Sequence, residues 1–249
     1  MNIAFVSAVL PVAVLLWFIY RKDKLNPEPV KKLVWTFVVG CLNVVPAMVM
    51  ETVLGMMTPP TPILGGIYTG YVVAGLSEEL CKLVLLMLVV WRSPHFDEYF
   101  DGIVYAVFVS MGFACVENVM YVTGSTEALS VALMRGLLAV PAHFLFAVTM
   151  GYHLSLAKFD PRNRRRHLMH ALLYPVLLHG TYDALLMVSD GLGDSTLGMG
   201  LSGLLMVAFI VFDVMMWRWG MRRIKRMQER SREQDFDRAN PFDGFTWNV

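Results

Sequence analysis

Seven long apolar segments, separated by short polar connectors, dominate this sequence. Most are long enough to cross a bilayer as a helix, which takes about 20 residues. Only 16% of the 249 residues are charged, whereas soluble domains carry about 25%. We therefore expect an all-α, polytopic transmembrane bundle of about seven helices. The segments cover approximately residues 3–20, 32–57, 67–91, 102–123, 130–157, 167–189 and 196–218.

The basic residues lie on one side of this predicted bundle. Of the 21 Lys and Arg, 19 lie in the connectors after helices 1, 3 and 5 or at and beyond the end of helix 7. Because cytoplasmic loops are enriched in Lys and Arg, this pattern predicts a topology with the N-terminus outside and the C-terminus inside. We expect residues 1–220 to form one membrane domain and residues 221–249 a cytoplasmic basic tail on the lipid surface. A net charge of +1 gives no reason to expect a nucleic-acid partner.

Polar and ionisable side chains inside the apolar segments are the best functional evidence in the sequence. Each costs a few kcal/mol in a bilayer and usually marks a site that faces the bundle interior or a cavity. The main examples are Glu51, Glu78, Glu79, Lys82, Glu117, Asn118, Arg135, His143, His179 and Asp183.

Three of these residues lie close together on the third predicted helix. At about 100° per residue, Glu78, Glu79 and Lys82 fall within one arc of roughly 100° and should face the bundle together. A purely structural explanation is an ion pair between Glu78 and Lys82, with Glu79 paired to a neighbouring helix. The functional explanation starts from the fact that one lysine can pair with only one of the two carboxylates. The other carboxylate then lies next to a like charge, which raises its pKa towards that of a general base.

Further polar residues are spaced along single helix faces. Phe113, Glu117 and Tyr121 follow one another at four-residue intervals, and so do His179 and Asp183. At the latter spacing a carboxylate can orient an imidazole, or both side chains can reach one metal ion. Counted from the outer helix ends at about 1.5 Å per residue, five ionisable residues lie in the outer half of the bilayer or near its midplane: Glu78, Glu117, His143, His179 and Asp183. We therefore expect them to line one cavity.

Five short motifs follow one another along predicted helices 3 to 6, over about 110 residues. They are E-E-x-x-K, D-G-x-x-Y, G-F-x-x-x-E-N-x-x-Y, a histidine block and H-G-x-x-D. The residues are Glu78, Glu79 and Lys82; Asp101, Gly102 and Tyr105; Gly112, Phe113, Glu117, Asn118 and Tyr121; His143, Phe146 and Gly151; and His179, Gly180 and Asp183. In this order, the motifs closely resemble those of the PrsW family of intramembrane proteases.

The resemblance carries functional implications. It implies an intramembrane endopeptidase of a bacterial plasma membrane that cleaves a single-span, membrane-anchored protein such as an anti-sigma factor. The family is also distantly similar to the type II CAAX prenyl endopeptidases. This chain departs from their pattern, because Lys82 comes one residue earlier than their arginine and Glu117 stands where they have histidine.

Two mechanisms of hydrolysis are open from the sequence. Without a metal, Glu78 or Glu79 activates a water, Lys82 balances the charge, and His143 or His179 with Asn118 stabilises the oxyanion. With zinc, Glu117, His143 and His179 are the ligands, Asp183 orients one of them, and the glutamate pair supplies the base. The predicted catalytic residues are Glu78, Glu79, Lys82, Glu117, Asn118, His143, His179 and Asp183.

Two other classes of function fit the same polar residues. Chains of carboxylates and histidines also form the proton relays of proton- or ion-coupled transporters. A two-halved internal repeat would favour a transporter, and the sequence shows none. A non-enzymatic receptor or scaffold is the other alternative.

Overall fold

The computed structural model describes residues 3–193 and 195–239, and the helices there form one bundle. In that part of the chain, seven helices and no strands are present, where segments separated by a single residue are counted as one helix. Helix α3, residues 62–90, consists of the helix Pro62–Tyr68, the π-helical segment Thr69–Leu76 and the helix Ser77–Val90. The other helices are α1 (Ile3–Lys22), α2 (Val30–Gly55), α4 (Asp101–Thr123), α5 (Ala128–Phe159), α6 (Arg164–Gly191) and α7 (Thr196–Ala239).

The length and composition of these helices confirm the predicted class. All except α3 are long and apolar enough to cross a membrane, so the chain is a multi-pass membrane protein. Helix α7 continues without a break from the predicted membrane domain into the tail as far as Ala239. Residues 240–249 of the predicted tail lie outside the described residues. The orientation of the bundle in the bilayer stays a prediction.

Two of the long helices are interrupted, and proline accounts for both interruptions. Regular helix stops after Leu42 in α2 and after Leu137 in α5. Each stop lies four residues before a proline, Pro46 in α2 and Pro141 in α5. Proline lacks an N–H, and its ring collides with the carbonyl of the residue four positions earlier. The break in α5 lies five residues before His143 and so sets the direction in which this part of α5 enters the bundle.

Helix α4 occupies the centre of the bundle. In the most apolar 18-residue stretch of α4, 72% of the residues are buried, whereas the corresponding stretch of α7, at the periphery, has 11% buried. Glycines allow neighbouring backbones to come close to it: a Cβ added to Gly151 of α5 would lie 2.3 Å from the carbonyl oxygen of Gly102, and one on Gly112 would lie 2.1 Å from that of Phe37 in α2. Large side chains at these positions would push α2 and α5 away from α4.

Helices α3 and α6 also meet backbone to backbone. A Cβ on Gly70 would lie 2.7 Å from the backbone nitrogen of Ala184, and one on Gly180 would lie 2.2 Å from the Tyr71 ring. The Tyr71 hydroxyl adds a hydrogen bond of 2.7 Å with Thr181. This contact includes the π-helical segment of α3, a geometry that is rare and often found at functional sites. It brings the residues after that segment opposite His179.

Candidate active site

The three charged residues of α3 face the bundle interior together, as the helical spacing predicts. The Lys82 ammonium donates hydrogen bonds to Glu78 Oε2 at 2.9 Å and Glu79 Oε1 at 2.8 Å. It also lies 4.2 Å from the centre of the Phe113 ring. All three charged side chains are buried. One lysine thus bonds to both carboxylates. The purely structural explanation from the sequence paired Lys82 with Glu78 alone.

His179 of α6 lies directly against this group. Its Nδ1 is 3.1 Å from Glu79 Oε1, and its Nε2 is 3.3 Å from Asp183 Oδ2 one turn further along α6. The ring stacks on Phe146 of α5 at a centroid distance of 4.8 Å and an interplanar angle of 18°. Both ring nitrogens therefore have a carboxylate partner, and the aromatic stack holds the plane of the ring.

His143 of α5 reaches the same group from the opposite side. Its Nδ1 accepts a hydrogen bond of 3.3 Å from Lys82, which assigns the hydrogen to Nε2. Nε2 then donates to Glu117 Oε2 at 2.9 Å. The backbone carbonyl of His143 accepts a bond from the Ser110 hydroxyl of α4. The two histidine rings lie edge to face with centroids 5.3 Å apart.

Arg135 and Asn118 surround Glu117. Arg135 Nη2 lies 2.7 Å from Glu117 Oε2, and its guanidinium stacks over the Tyr121 ring at 3.9 Å. Asn118 accepts a bond of 3.0 Å from Arg135 and donates one of 2.7 Å to the carbonyl of Ala8 in α1. Its amide is therefore engaged with protein groups on both sides.

A cavity of about 1100 Å³ opens next to these residues. Glu78 borders it, and the predicted stripe of Phe113, Glu117 and Tyr121 lies along one wall. Apolar residues of α2, α3, α5 and α6 form most of the rest. Seven of its charged or ionisable lining residues are Glu51, Glu78, Glu117, Arg135, His143, His179 and Asp183. Five of the eight predicted catalytic residues thus line one cavity, whereas Glu79, Lys82 and Asn118 lie behind its wall.

Four side chains in this region are arranged to hold a metal ion. Glu78, Glu79, His143 and His179 each offer a ligand atom, all four atoms within 4.8 Å of one another, and all four residues are buried. Glu79 Oε2 is buried without a hydrogen-bond partner, so this oxygen is free to coordinate a metal ion. Two imidazoles with a carboxylate suit Zn²⁺. The donor set therefore fits a zinc ion, which would compete with Lys82 for Glu79 and His143.

Residues 28–216 match the sequence profile described as "PrsW family intramembrane metalloprotease". The chain belongs to the PrsW family. It is 35% identical over 227 residues to "Protease PrsW" of Bacillus subtilis (strain 168), covering 90% of this chain and 95% of that protein. Identity to "Protease PrsW" of Clostridioides difficile (strain 630) is 31% over 236 residues, with 93% and 94% covered. No solved structure matches.

Membership of the PrsW family confirms the resemblance seen in the motifs. The chain is a membrane-embedded peptidase of a family described as metalloproteases, and a peptidase requires a protein substrate. Both relatives are bacterial proteins. The roles of individual site residues and the depth of the site in the bilayer stay predictions.

Two charged residues outside the predicted catalytic set also line the cavity. Arg135 pairs with Glu117 and so forms part of the cavity wall. Glu51 also lines the cavity and is half-buried. Their one shared signal in the sequence is a charge within an apolar segment.

Proposed function

We propose that this chain is an intramembrane endopeptidase that cleaves a membrane-anchored protein with a single span, such as an anti-sigma factor. The observation that carries the proposal is the buried group of Glu78, Glu79, Lys82, His143 and His179 beside the 1100 Å³ cavity. Apolar residues form most of the cavity lining, which suits a substrate segment that comes from the bilayer.

In this proposal His143, His179 and Glu79 would hold a zinc ion. Bound there, zinc would supply a Lewis acid for the carbonyl of the scissile peptide bond. Glu117 and Asp183 each contact the Nε2 atom of one histidine and hold the ring in place from the cavity side. Carboxylates commonly orient metal-binding histidines in this way. The sequence-based alternative, with Glu117 itself as the third ligand, stays a prediction that metal affinity can test.

Glu78 is our candidate for the general base. It borders the cavity, whereas Glu79 is fully buried behind it. The Glu78 carboxylate takes a proton from the attacking water and returns it to the departing amide nitrogen, so that no net proton is consumed in the cycle. Lys82 remains within hydrogen-bond distance of Glu78 and balances the charge of the pair. The metal-free mechanism uses the same base.

Asn118 has a positioning role in the proposal. Its amide bonds to Ala8 and Arg135, and so it holds the arginine against Glu117. Arg135 lines the cavity and is the cationic group nearest to Glu117 there. We therefore assign oxyanion stabilisation to Arg135, with Asn118 acting through Arg135.

A reconstituted cleavage assay tests the proposal. The full chain is placed in liposomes with a single-span bacterial anti-sigma factor, and cleavage is followed by gel electrophoresis and mass spectrometry. We expect cleavage within or at the edge of the span, reduced at least 1000-fold by Glu78→Gln. The matched control is Glu51→Gln, another glutamate of the cavity wall that lies outside the buried group.

Two outcomes would contradict the proposal. One is unchanged cleavage by the Glu78→Gln protein. The other is an equal loss in Glu51→Gln, which would indicate a general effect of charge in the cavity. Thermal unfolding of each variant in detergent separates loss of chemistry from loss of fold.

A further inference from the structure

A second group of buried acidic residues lies at the end of the bundle where α1 ends and α4 begins. Asp23 follows α1, Glu98 lies between α3 and α4, and Asp101 is the first residue of α4. Their exposed fractions are 4%, 1% and 0%. One carboxylate oxygen from each lies within 4.8 Å of the others. Glu28, before α2, is also buried and accepts a hydrogen bond from Tyr105.

Hydrogen bonds from the protein reach only some of the carboxylate oxygens in this group. Asp101 Oδ2 accepts the backbone N–H groups of Asp97 and Glu98 at 2.9 Å and 2.7 Å, and Asp23 Oδ2 accepts that of Glu28 at 3.0 Å. The other oxygens, Asp23 Oδ1 and Asp101 Oδ1, are buried without a hydrogen-bond partner, and so is Glu98 Oε2. Each of the three neighbouring buried side chains thus carries an oxygen without a hydrogen-bond partner.

The carboxylates of the group also make no salt bridge with the residues that the structure describes. In the described part of the chain, no ion pair joins Asp23, Glu98 or Asp101 to a basic side chain; Arg238 at this end pairs with Asp97 and Asp235 instead. Burial raises the pKa of Asp23 to about 6. Burial and the neighbouring carboxylates raise the pKa of Glu98 to about 7. Buried carboxylates without a cation are costly, so the arrangement calls for a bound cation or for protons.

A cavity of about 60 Å³ adjoins the group. Asp23 and Glu98 border it from the bundle, and Gln228 and Ser231 of α7 border it from the other side. Three basic residues also line this cavity: Lys22, Lys24 and Arg232. The Ser231 hydroxyl accepts the backbone N–H of Phe100 at 2.9 Å. This volume exceeds what one water molecule needs, so there is room for an ion and a water ligand.

We propose that Asp23, Glu98 and Asp101 form a binding site for a hard divalent cation of the Mg²⁺, Ca²⁺ and Mn²⁺ class, separate from the catalytic group. All the donors are oxygens, with no imidazole or thiolate among the three residues, and such sets select hard cations over zinc. The cation links the α1–α2 connector, the α3–α4 connector and the start of α4. The tail part of α7 contacts this region through two bonds: Gln228 donates to the carbonyl of Lys22 at the end of α1, and Ser231 accepts from Phe100 in the α3–α4 connector. The cation therefore stabilises this end of the bundle as a docking surface for the tail.

Titration of the metal-free full chain with Mn²⁺, followed by the EPR signal of free Mn²⁺, tests the site. The protein is purified without a histidine tag. The His143→Ala/His179→Ala double variant is the parent, because its catalytic group has lost two donors. We expect one Mn²⁺ per chain, displaced by Mg²⁺ or Ca²⁺, and a Kd at least tenfold weaker after Glu98→Gln. The matched control is Glu229→Gln, an exposed glutamate on the same tail helix, with a Kd within twofold of the parent.

Thermal unfolding of chains with an intact catalytic group gives a second measurement, which holds even where the double variant does not fold. We expect Ca²⁺ or Mg²⁺ to raise the Tm of the wild type and of Glu229→Gln but not that of Glu98→Gln. Without cations, Glu98→Gln should melt above the wild type, because it buries one carboxylate fewer.

The proposal is overturned if the parent binds no Mn²⁺ below millimolar concentration or if Glu98→Gln binds it equally well. A wild-type Tm that does not respond to cations would also overturn the proposal, because protons alone would then neutralise the three carboxylates. Neither readout requires peptide cleavage, so a failure of this proposal is distinct from a failure of the proposed proteolytic function.

Discussion

Glu79 Oε1 lies 3.1 Å from Nδ1 of His179, 100 residues further along the chain. The same oxygen accepts a hydrogen bond of 2.8 Å from Lys82. This carboxylate thus joins the charged face of α3 to the histidine of α6, while its second oxygen is buried without a partner. The two neighbouring glutamates of α3 therefore have different surroundings, and we expect different effects when each is changed.

The first prediction separates those two roles by metal content. Glu79→Gln should lower the affinity for Zn²⁺ by at least 100-fold, because a ligand is lost. Glu78→Gln should keep Zn²⁺ within about tenfold of the wild-type affinity while cleavage is lost. Chelator competition measures the affinities. Equal zinc affinity in the two variants would show that the division of roles is wrong.

The second prediction concerns Glu117. Because Glu117 orients His143 in our proposal, Glu117→Gln should lower the affinity for Zn²⁺ by about 10- to 100-fold. This range is typical for loss of a residue that orients a metal ligand. A loss as large as that of His143→Ala would instead support Glu117 as a ligand. Glu51→Gln provides the control, since Glu51 lines the cavity but is neither a proposed zinc ligand nor a residue that orients one.

The third prediction concerns removal of the metal. Extended dialysis against a strong chelator should abolish cleavage, and one equivalent of Zn²⁺ should restore it. The unfolding temperature should fall on chelation, since a ligand that binds only the native state stabilises it. Full activity after verified removal of zinc would favour the metal-free mechanism.

The fourth prediction concerns the contact between α3 and α6. Gly180→Ala places a Cβ 2.2 Å from the Tyr71 ring and 2.8 Å from the Tyr71 Cα, so the helices must separate. Overpacking of this kind costs about 1–3 kcal/mol of stability. Cleavage should fall as well, because His179 is the preceding residue. SDS-induced unfolding in mixed micelles measures the stability.

Gly200→Ala is the control for that substitution. Gly200 lies in α7, and a Cβ there meets nothing within 4 Å. In a helix the alanine should be neutral or should stabilise by about 0.5–1 kcal/mol. If Gly180→Ala is as stable as Gly200→Ala, the close approach of α3 and α6 is not required for the fold.

Much of the site was predictable, because it depends on spacing within single helices. The shared face of Glu78, Glu79 and Lys82 follows from 3.6 residues per turn, and so does the pairing of His179 with Asp183. Asn118 shows the limit of this reasoning. It follows Glu117 directly, but its amide is bonded to Ala8 of α1 and to Arg135. A helix pattern does not say which neighbour meets each face.

By itself, the sequence determined the membrane class, the helix count and the set of polar residues that must face inwards, because hydropathy and helical periodicity are local properties. Only the tertiary structure decided that Glu79 meets His179 and that His143 lies between Lys82 and Glu117. It alone also assembled Asp23, Glu98 and Asp101 at the opposite end of α4 from Glu117, from connectors that carry no periodic signal. These pairings depend on how closely whole helices approach, which glycines such as Gly180 permit and the packing of all seven helices sets.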